Sequence, residues 1–214
     1  KSFIDSLNVF PVPDGDTGTN MYLTFKEAVS NLENNNSNNV SELANSLSKG
    51  ALMGARGDSG VILSQLLRGF SEINKDKKYM NAENLVESLK KASEIAYQGV
   101  MKPVEGTILT VSRGAARGGE QALENNEDTA GVLKAAVEEA KKTLNQTPEQ
   151  LPELKEAGVV DAGGKGYYVI LKGMLEGLVG ENQNLSQDIQ IVEEVEQKTQ
   201  EKAEIKYIYD TQIL

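Results

Sequence analysis

Apolar residues recur at intervals of three and four along most of this chain, the pattern of helices that each bury one face. Phe3, Ile4 and Leu7 close a first short helix. Met21, Phe25, Val29 and Leu32 make a second stripe, and Leu43, Leu47 and Leu52 a third that stops at Gly54. Val61, Ile62, Leu63, Leu66, Leu67 and Phe70 carry a fourth, with Asp58 or Ser59 placed to cap it. Leu85, Leu89, Ala92 and Ala96 mark a helix over 82–98, and another starts at Glu105 and runs through Val111 and Ala115. Leu133, Ala136, Val137, Ala140 and Leu144 mark one over 128–144, Pro148 and Pro152 bracket a loop, and a last core helix runs from Tyr167 to Leu178.

No strand pattern precedes residue 180. The expected fold class is therefore all-α, an up-and-down bundle or barrel of about eight antiparallel amphipathic helices joined by short loops. Beyond residue 180 the pattern breaks. Residues 181–204 read as a charged linker, and 205–214 as a short orphan strand that starts a truncated following domain, which leaves 1–180 as the helical domain.

The most constrained stretch is 8–20, Asn-Val-Phe-Pro-Val-Pro-Asp-Gly-Asp-Thr-Gly-Thr-Asn. Pro11 and Pro13 favour extended backbone, and Gly15 and Gly18 let the chain fold sharply around Asp14 and Asp16. Two carboxylates one residue apart repel. A hard divalent cation such as Mg²⁺, which takes one or two carboxylates and leaves its other positions to water and phosphate, would explain them. An ordinary polar turn capping the next helix would also explain them. An EF-hand would not, because its obligatory glycine falls on Thr19 and its bidentate glutamate on Phe25.

Composition narrows the chemistry. The 214 residues hold 32 acidic against 22 basic side chains, a net charge of −10, which disfavours nucleic acid as the main partner. With no cysteine and no histidine, thiolate nucleophiles and the usual general base are both missing. Chemistry must come from Asp, Glu, Lys, Ser, Thr, Asn, backbone amides and a hard metal. No apolar run is long enough to span a bilayer and no signal-peptide pattern is present, so no integral membrane segment and a cytoplasmic location are expected. A chain opening on Lys1 is also expected to be a piece of something longer.

Four glycine-containing turns, 14–20, 54–60, 105–107 and 158–166, each precede a helix and could present N–H groups to an anion. Singly, each reads as a helix cap. Gly54-x-x-Gly-x-x-Gly60 follows a helix rather than the strand of a dinucleotide fingerprint. After Gly158-x-x-x-x-Gly163-Gly, Lys165 stands one position late for a Walker A loop.

Taken together, Asn8–Met21, Gly54–Gln65, Lys102–Thr110 and Val159–Gly166 stand in one order and spacing. On these motifs the chain, over residues 1 to about 180, resembles the N-terminal nucleotide-binding domain of the bacterial fatty acid kinases. That domain is itself similar to the ATP/ADP-binding subunit of dihydroxyacetone kinases. The resemblance implies a helical barrel with nucleotide at one rim, and metal and catalysis at Asp14 and Asp16. It places phosphate on Thr17, Gly18, Thr19 and Asn20, and phosphate or ribose on Gly57, Asp58, Ser59 and Gly60. Gly106 and Thr107, with Asp161, Ala162 and Gly163, would close over the nucleoside. The dihydroxyacetone kinase branch carries a third aspartate where this chain has Val9, beside Asn8, and Asp58 stands where relatives often carry Asn.

The function so implied is ATP-Mg²⁺ binding and phosphorylation of a fatty acid carboxylate presented by a separate fatty-acid-binding protein, giving acyl phosphate. Homodimerisation would run through domains outside this chain. Arg56 and Lys165 are the candidate extra cations. Rival readings are a kinase subunit acting on a small hydroxy-ketone, a non-catalytic nucleotide-sensing module, and a helical scaffold.

Overall fold

The computed structural model describes residues 1–180, and residues Lys1–Val179 form one compact unit. The expected linker and orphan strand lie outside the described residues.

Seven long helices make the body of this unit: α2 (Thr17–Glu33), α3 (Val40–Gly54), α4 (Gly57–Ile73), α5 (Ala82–Gln98), α6 (Ile108–Glu124), α7 (Thr129–Asn145) and α10 (Ala162–Val179). Three short ones decorate one end: α1 (Ser2–Ser6), α8 (Thr147–Gln150) and α9 (Pro152–Ala157). No strand occurs among the described residues, so the all-α helical bundle read from the sequence is what the chain forms. Each long helix packs on its chain neighbour, and α10 packs on α7, α6 and α2, which closes the circuit. The core runs through its centre, with Leu63, Leu66, Leu85, Leu89 and Leu171 almost wholly buried. Each such leucine contributes about 2 kcal/mol relative to exposure.

Small residues set how closely the helices approach. A Cβ on Gly69 would lie 2.6 Å from Ala92 Cα, one on Gly50 2.8 Å from Ala28 Cα, and one on Gly118 2.6 Å from the Ala135 carbonyl oxygen. These glycines sit mid-helix despite a propensity cost of about 1 kcal/mol each, because close backbone contact returns more in dispersion.

Several local expectations shift. Asp58 and Ser59 do not cap α4; the helix begins at Gly57, so both lie in its first turn. Leu52 and Val61 do not face the core, and Leu52 is 60% exposed. The helix expected from Glu105 begins at Ile108, after a left-handed Gly106 (φ 81°) and with Thr107 as its cap. The loop expected between Pro148 and Pro152 is instead α8 followed by the start of α9, each with a proline in its first turn, where the missing N–H costs nothing. Helix α10 starts at Ala162, five residues before Tyr167, so the last glycine-rich turn is mostly helix. Glycine looked like a breaker there, but Gly163, Gly164 and Gly166 are buried against neighbouring helices.

Alternation of direction puts the starts of α2, α4, α6 and α10 at one end of the bundle, its rim. The starts of α3, α5 and α7 lie at the opposite end, its base.

Candidate functional site

The rim is built on Asn8. Its buried side-chain amide donates to the Val12 carbonyl (3.0 Å) and to Asp14 Oδ1 (2.6 Å), and its Oδ1 accepts from the Thr17 hydroxyl. One side chain thus fastens the loop 8–16 to the first turn of α2 and aims Asp14. Gly15 turns the chain at φ 65°, and Asp16 follows at the N-cap position of α2. Asp16 makes no side-chain cap bond, so both carboxylates stand exposed on the lip of the helix start.

A different acid closes part of that start. Asp5 of α1 accepts from the Thr19 backbone N–H through Oδ1 (2.7 Å) and from the Thr19 hydroxyl through Oδ2 (2.9 Å). Helix α1 lies close on Gly18, where a Cβ would meet the Lys1 carbonyl oxygen at 2.5 Å and Ile4 Cβ at 2.8 Å. Gly18 is therefore needed for this packing.

The second turn stands directly beside the first. Thr24 of α2 donates its hydroxyl to the Asn20 carbonyl (2.8 Å) and accepts the Arg56 backbone N–H (3.1 Å). A Cβ on Gly57 (φ 54°) would collide with the Asn20 side-chain amide, and one on Gly60 with the Thr24 hydroxyl. Gly60 is thus a contact between α2 and α4. No side chain caps α4, whose first-turn N–H groups open at the rim next to Asn20. Asp58 and Arg56 are exposed there, and Asp58 suits the positive end of the helix dipole.

The third and fourth turns form another group on the same end. Thr107 accepts the Leu109 N–H at 3.4 Å and donates to the Val104 carbonyl at 2.8 Å. Asp161, 6% exposed, accepts the Gly164 N–H (2.6 Å) and also bonds the Ile108 backbone, so one carboxylate caps both α10 and α6. Burial raises its pKa to about 6 against the pull of those two N–H donors. Ala162 and Gly163 are buried, and a Cβ on Gly163 would lie 3.2 Å from Ile108 Cβ. Asp161, Ala162 and Gly163 thus join two helix starts, and Gly106 seats against Leu151 and Thr147. The two groups meet where α10 crosses α1 and α2. Gly166 packs on Met21, and Lys165 Nζ lies 5.8 Å from the Phe3 ring centre and 5.3 Å from that of Tyr168.

A hard metal fits the donor set at Asp14 and Asp16. Among the described residues no group of three or more acidic side chains gathers to hold one. Two exposed carboxylates with open solvent beside them match a cation that keeps water and phosphate in its remaining positions. Sequence reasoning missed Asp5 and Thr24. Both act across the chain, over 14 and 32 residues, where no local pattern reports them.

Known proteins bear on this arrangement. The family model of the DAK2 domain matches residues 11–176. The chain is 51% identical over 180 residues to protein YloV of Bacillus subtilis, covering 84% of this chain and 32% of YloV. It is 52% identical over 178 residues to an uncharacterized protein of Staphylococcus saprophyticus and 51% to one of Staphylococcus haemolyticus, covering in each case 83% of this chain and 32% of the relative. The chain spans about a third of the length of these relatives. No helix among the described residues is long and apolar enough to cross a membrane. DAK2 is the family of the dihydroxyacetone kinase L subunit, a nucleotide-linked component of kinase systems. The chain belongs to the DAK2 domain family.

Proposed function

We propose that the rim binds ATP with Mg²⁺ and serves phosphoryl transfer to the carboxylate of a fatty acid that a separate binding protein presents. The observation that carries this reading is the pairing of two helix starts, α2 and α4, that lack caps of their own. They stand side by side beneath two exposed aspartates. Helix starts with spare N–H groups favour phosphate, and the aspartate pair favours a divalent cation. When bound, Mg²⁺ would neutralise charge between phosphate oxygens at Asp14 and Asp16.

Phosphoryl transfer to a carboxylate needs positioning and charge neutralisation, not a base, because the acceptor has no proton to lose. A chain without histidine or cysteine can supply both. In this reading the turns Thr17–Asn20 and Gly57–Gly60 face phosphate with the remaining first-turn N–H groups of Thr17, Gly18, Gly57, Asp58 and Ser59. The Asn20 and Gly60 N–H groups bond within their helices, and that of Thr19 bonds Asp5. Gly106 and Thr107, with the Asp161–Gly163 start, bound the nucleoside side. Arg56 and Lys165 are the nearby cations.

In this reading exposed apolar side chains at the rim give a carrier protein something to pack on. Val12, Met53 and Met101, on three separate rim segments, are 59%, 81% and 100% exposed.

Calorimetric titration with Mg-ADP tests the site. The 214-residue chain should bind it, and Asp14→Asn or Asp16→Asn should weaken binding by a few kcal/mol, about a hundredfold, with helicity unchanged. Wild-type affinity in both variants would remove the pair from the site. Acyl phosphate formation with a fatty-acid-loaded binding protein, set against phosphorylation of dihydroxyacetone, separates the two acceptors.

A further inference from the structure

A third polar cluster stands at the rim outside the residues assigned above. The Glu105 carboxylate takes both arms of the Arg113 guanidinium, Nη1 to Oε1 at 2.9 Å and Nη2 to Oε2 at 2.6 Å. The Tyr97 hydroxyl donates to the same carboxylate (3.1 Å to Oε1), and Arg113 lies 5.2 Å from the centre of the Tyr97 ring. Glu105 Oε2 also accepts the hydroxyl proton of the buried Thr110 at 2.7 Å. That hydroxyl in turn accepts the Gly106 backbone N–H at 2.8 Å.

The relay has a direction. The Gly106 N–H is buried in a left-handed turn (φ 81°) and needs an acceptor. Thr110 can serve only if its own proton points elsewhere, and Glu105 is where it points. Arg113 and Tyr97 hold the carboxylate in that position. Although burial works the other way, bonds from Thr110, Arg113 and Tyr97 keep the Glu105 carboxyl below its usual pKa, so it stays an acceptor near neutrality. With its oxygens engaged this way, Glu105 has little left to offer a ligand.

We infer that Glu105, held by Arg113 and Tyr97, is a positioning residue that sets the Gly106–Thr107 turn through Thr110 and so tunes recognition of the nucleoside, not of the phosphates. This rests on the nucleotide reading above. It extends that reading to four side chains from the end of α5, the following loop and α6.

The test compares two probes on the full chain, Mg-ADP and Mg-tripolyphosphate, the second lacking any nucleoside. Glu105→Ala and Thr110→Val should weaken Mg-ADP by about tenfold and leave Mg-tripolyphosphate within about twofold. Thr110→Ser keeps the hydroxyl and should bind both probes as wild type does. Glu105→Met, which keeps the length of the side chain and removes its acceptor oxygens, serves in place of Glu105→Ala if the latter fails to fold. Equal losses for both probes, or wild-type Mg-ADP affinity in Glu105→Ala and Thr110→Val alike, would overturn the inference. If the unsubstituted chain bound Mg-tripolyphosphate but not Mg-ADP, or bound neither, the nucleotide reading itself would fall, and the inference with it.

Discussion

The two ends of the bundle treat the same problem differently. Every helix start leaves backbone N–H groups without partners inside the helix. At the base, each start is closed by its own side chain: Asn39 accepts from Ser41, Asn81 from Asn84, and Asp128 from Gly131. The base loops also bond one another, through Val40 N to the Lys78 carbonyl (3.1 Å) and Ser41 N to the Lys77 carbonyl (3.0 Å). At the rim, Thr107 and Asp161 close the starts of α6 and α10, but α2 borrows Asp5 from another helix and α4 has no side-chain cap. Leaving a cap out costs about 1 kcal/mol. The base shows that this chain can cap its helices with their own residues, which sets the starts of α2 and α4 apart and underlies the proposal of an anion site there.

The comparison sharpens first at Asp161. Base caps such as Asn81 and Asp128 are exposed, whereas this rim cap is buried and its pKa is raised to about 6. Between the ordinary carboxylate range and pH 6, the folded chain holds a proton that the unfolded chain has released. Stability should therefore fall as pH rises through that window, by up to about 3 kcal/mol. Asp161→Asn keeps an acceptor and removes the titration, so its stability relative to wild type should climb from pH 4 to 7 in urea denaturation. Glu105, held below its usual pKa, acts in the opposite sense but cancels in this comparison. Parallel curves for the two proteins would show that Asp161 does not titrate in this range.

Next in size is Gly60→Val. The new side chain would enter the space of the Thr24 hydroxyl, displacing the acceptor of the Arg56 N–H. Overpacking of this kind costs about 2 kcal/mol, so melting should drop with or without nucleotide. A variant that melts as wild type does yet loses Mg-ADP would instead make Gly60 a direct nucleotide contact, as the resemblance alone implies.

Much of this architecture was legible in residue order, and the failures share a cause. Stripes such as Leu85–Leu89–Ala92–Ala96 report burial along one helix, so the long helices and their antiparallel order could be read locally. The start of α10 could not, because Gly163, Gly164 and Gly166 look like breakers until α6, α7 and α2 are packed against them. At the candidate site, Asp14 and Asp16 stand out in the sequence because two carboxylates one residue apart need a local reason. Asp5 does not, because it lies within a first helix that looks like a mere lead-in, yet caps the next. Asp161 reads in the sequence as one residue of a glycine-rich turn, and only the third dimension shows its carboxylate accepting N–H groups from two helices.

The smallest effect separates the ends most cleanly. Asp5→Asn keeps an acceptor for the Thr19 N–H and removes one negative charge from the start of α2. Asp128→Asn makes the same change at the base, on the Gly131 N–H. Asparagine caps about as well as aspartate, so each variant should lose well under 1 kcal/mol of stability. Their effects on anions should differ. Charge near a phosphate site matters within roughly 10 Å at moderate salt. Asp5→Asn should therefore tighten Mg-ADP about threefold in low salt, an advantage that fades at about 1 M salt, where screening is nearly complete. Asp128→Asn, at the far end of α6 and α7, should leave affinity unchanged at every salt concentration. Equal shifts in both variants would mean that the chain's overall charge of −10 governs affinity, and the distinction between rim and base would lose its electrostatic half.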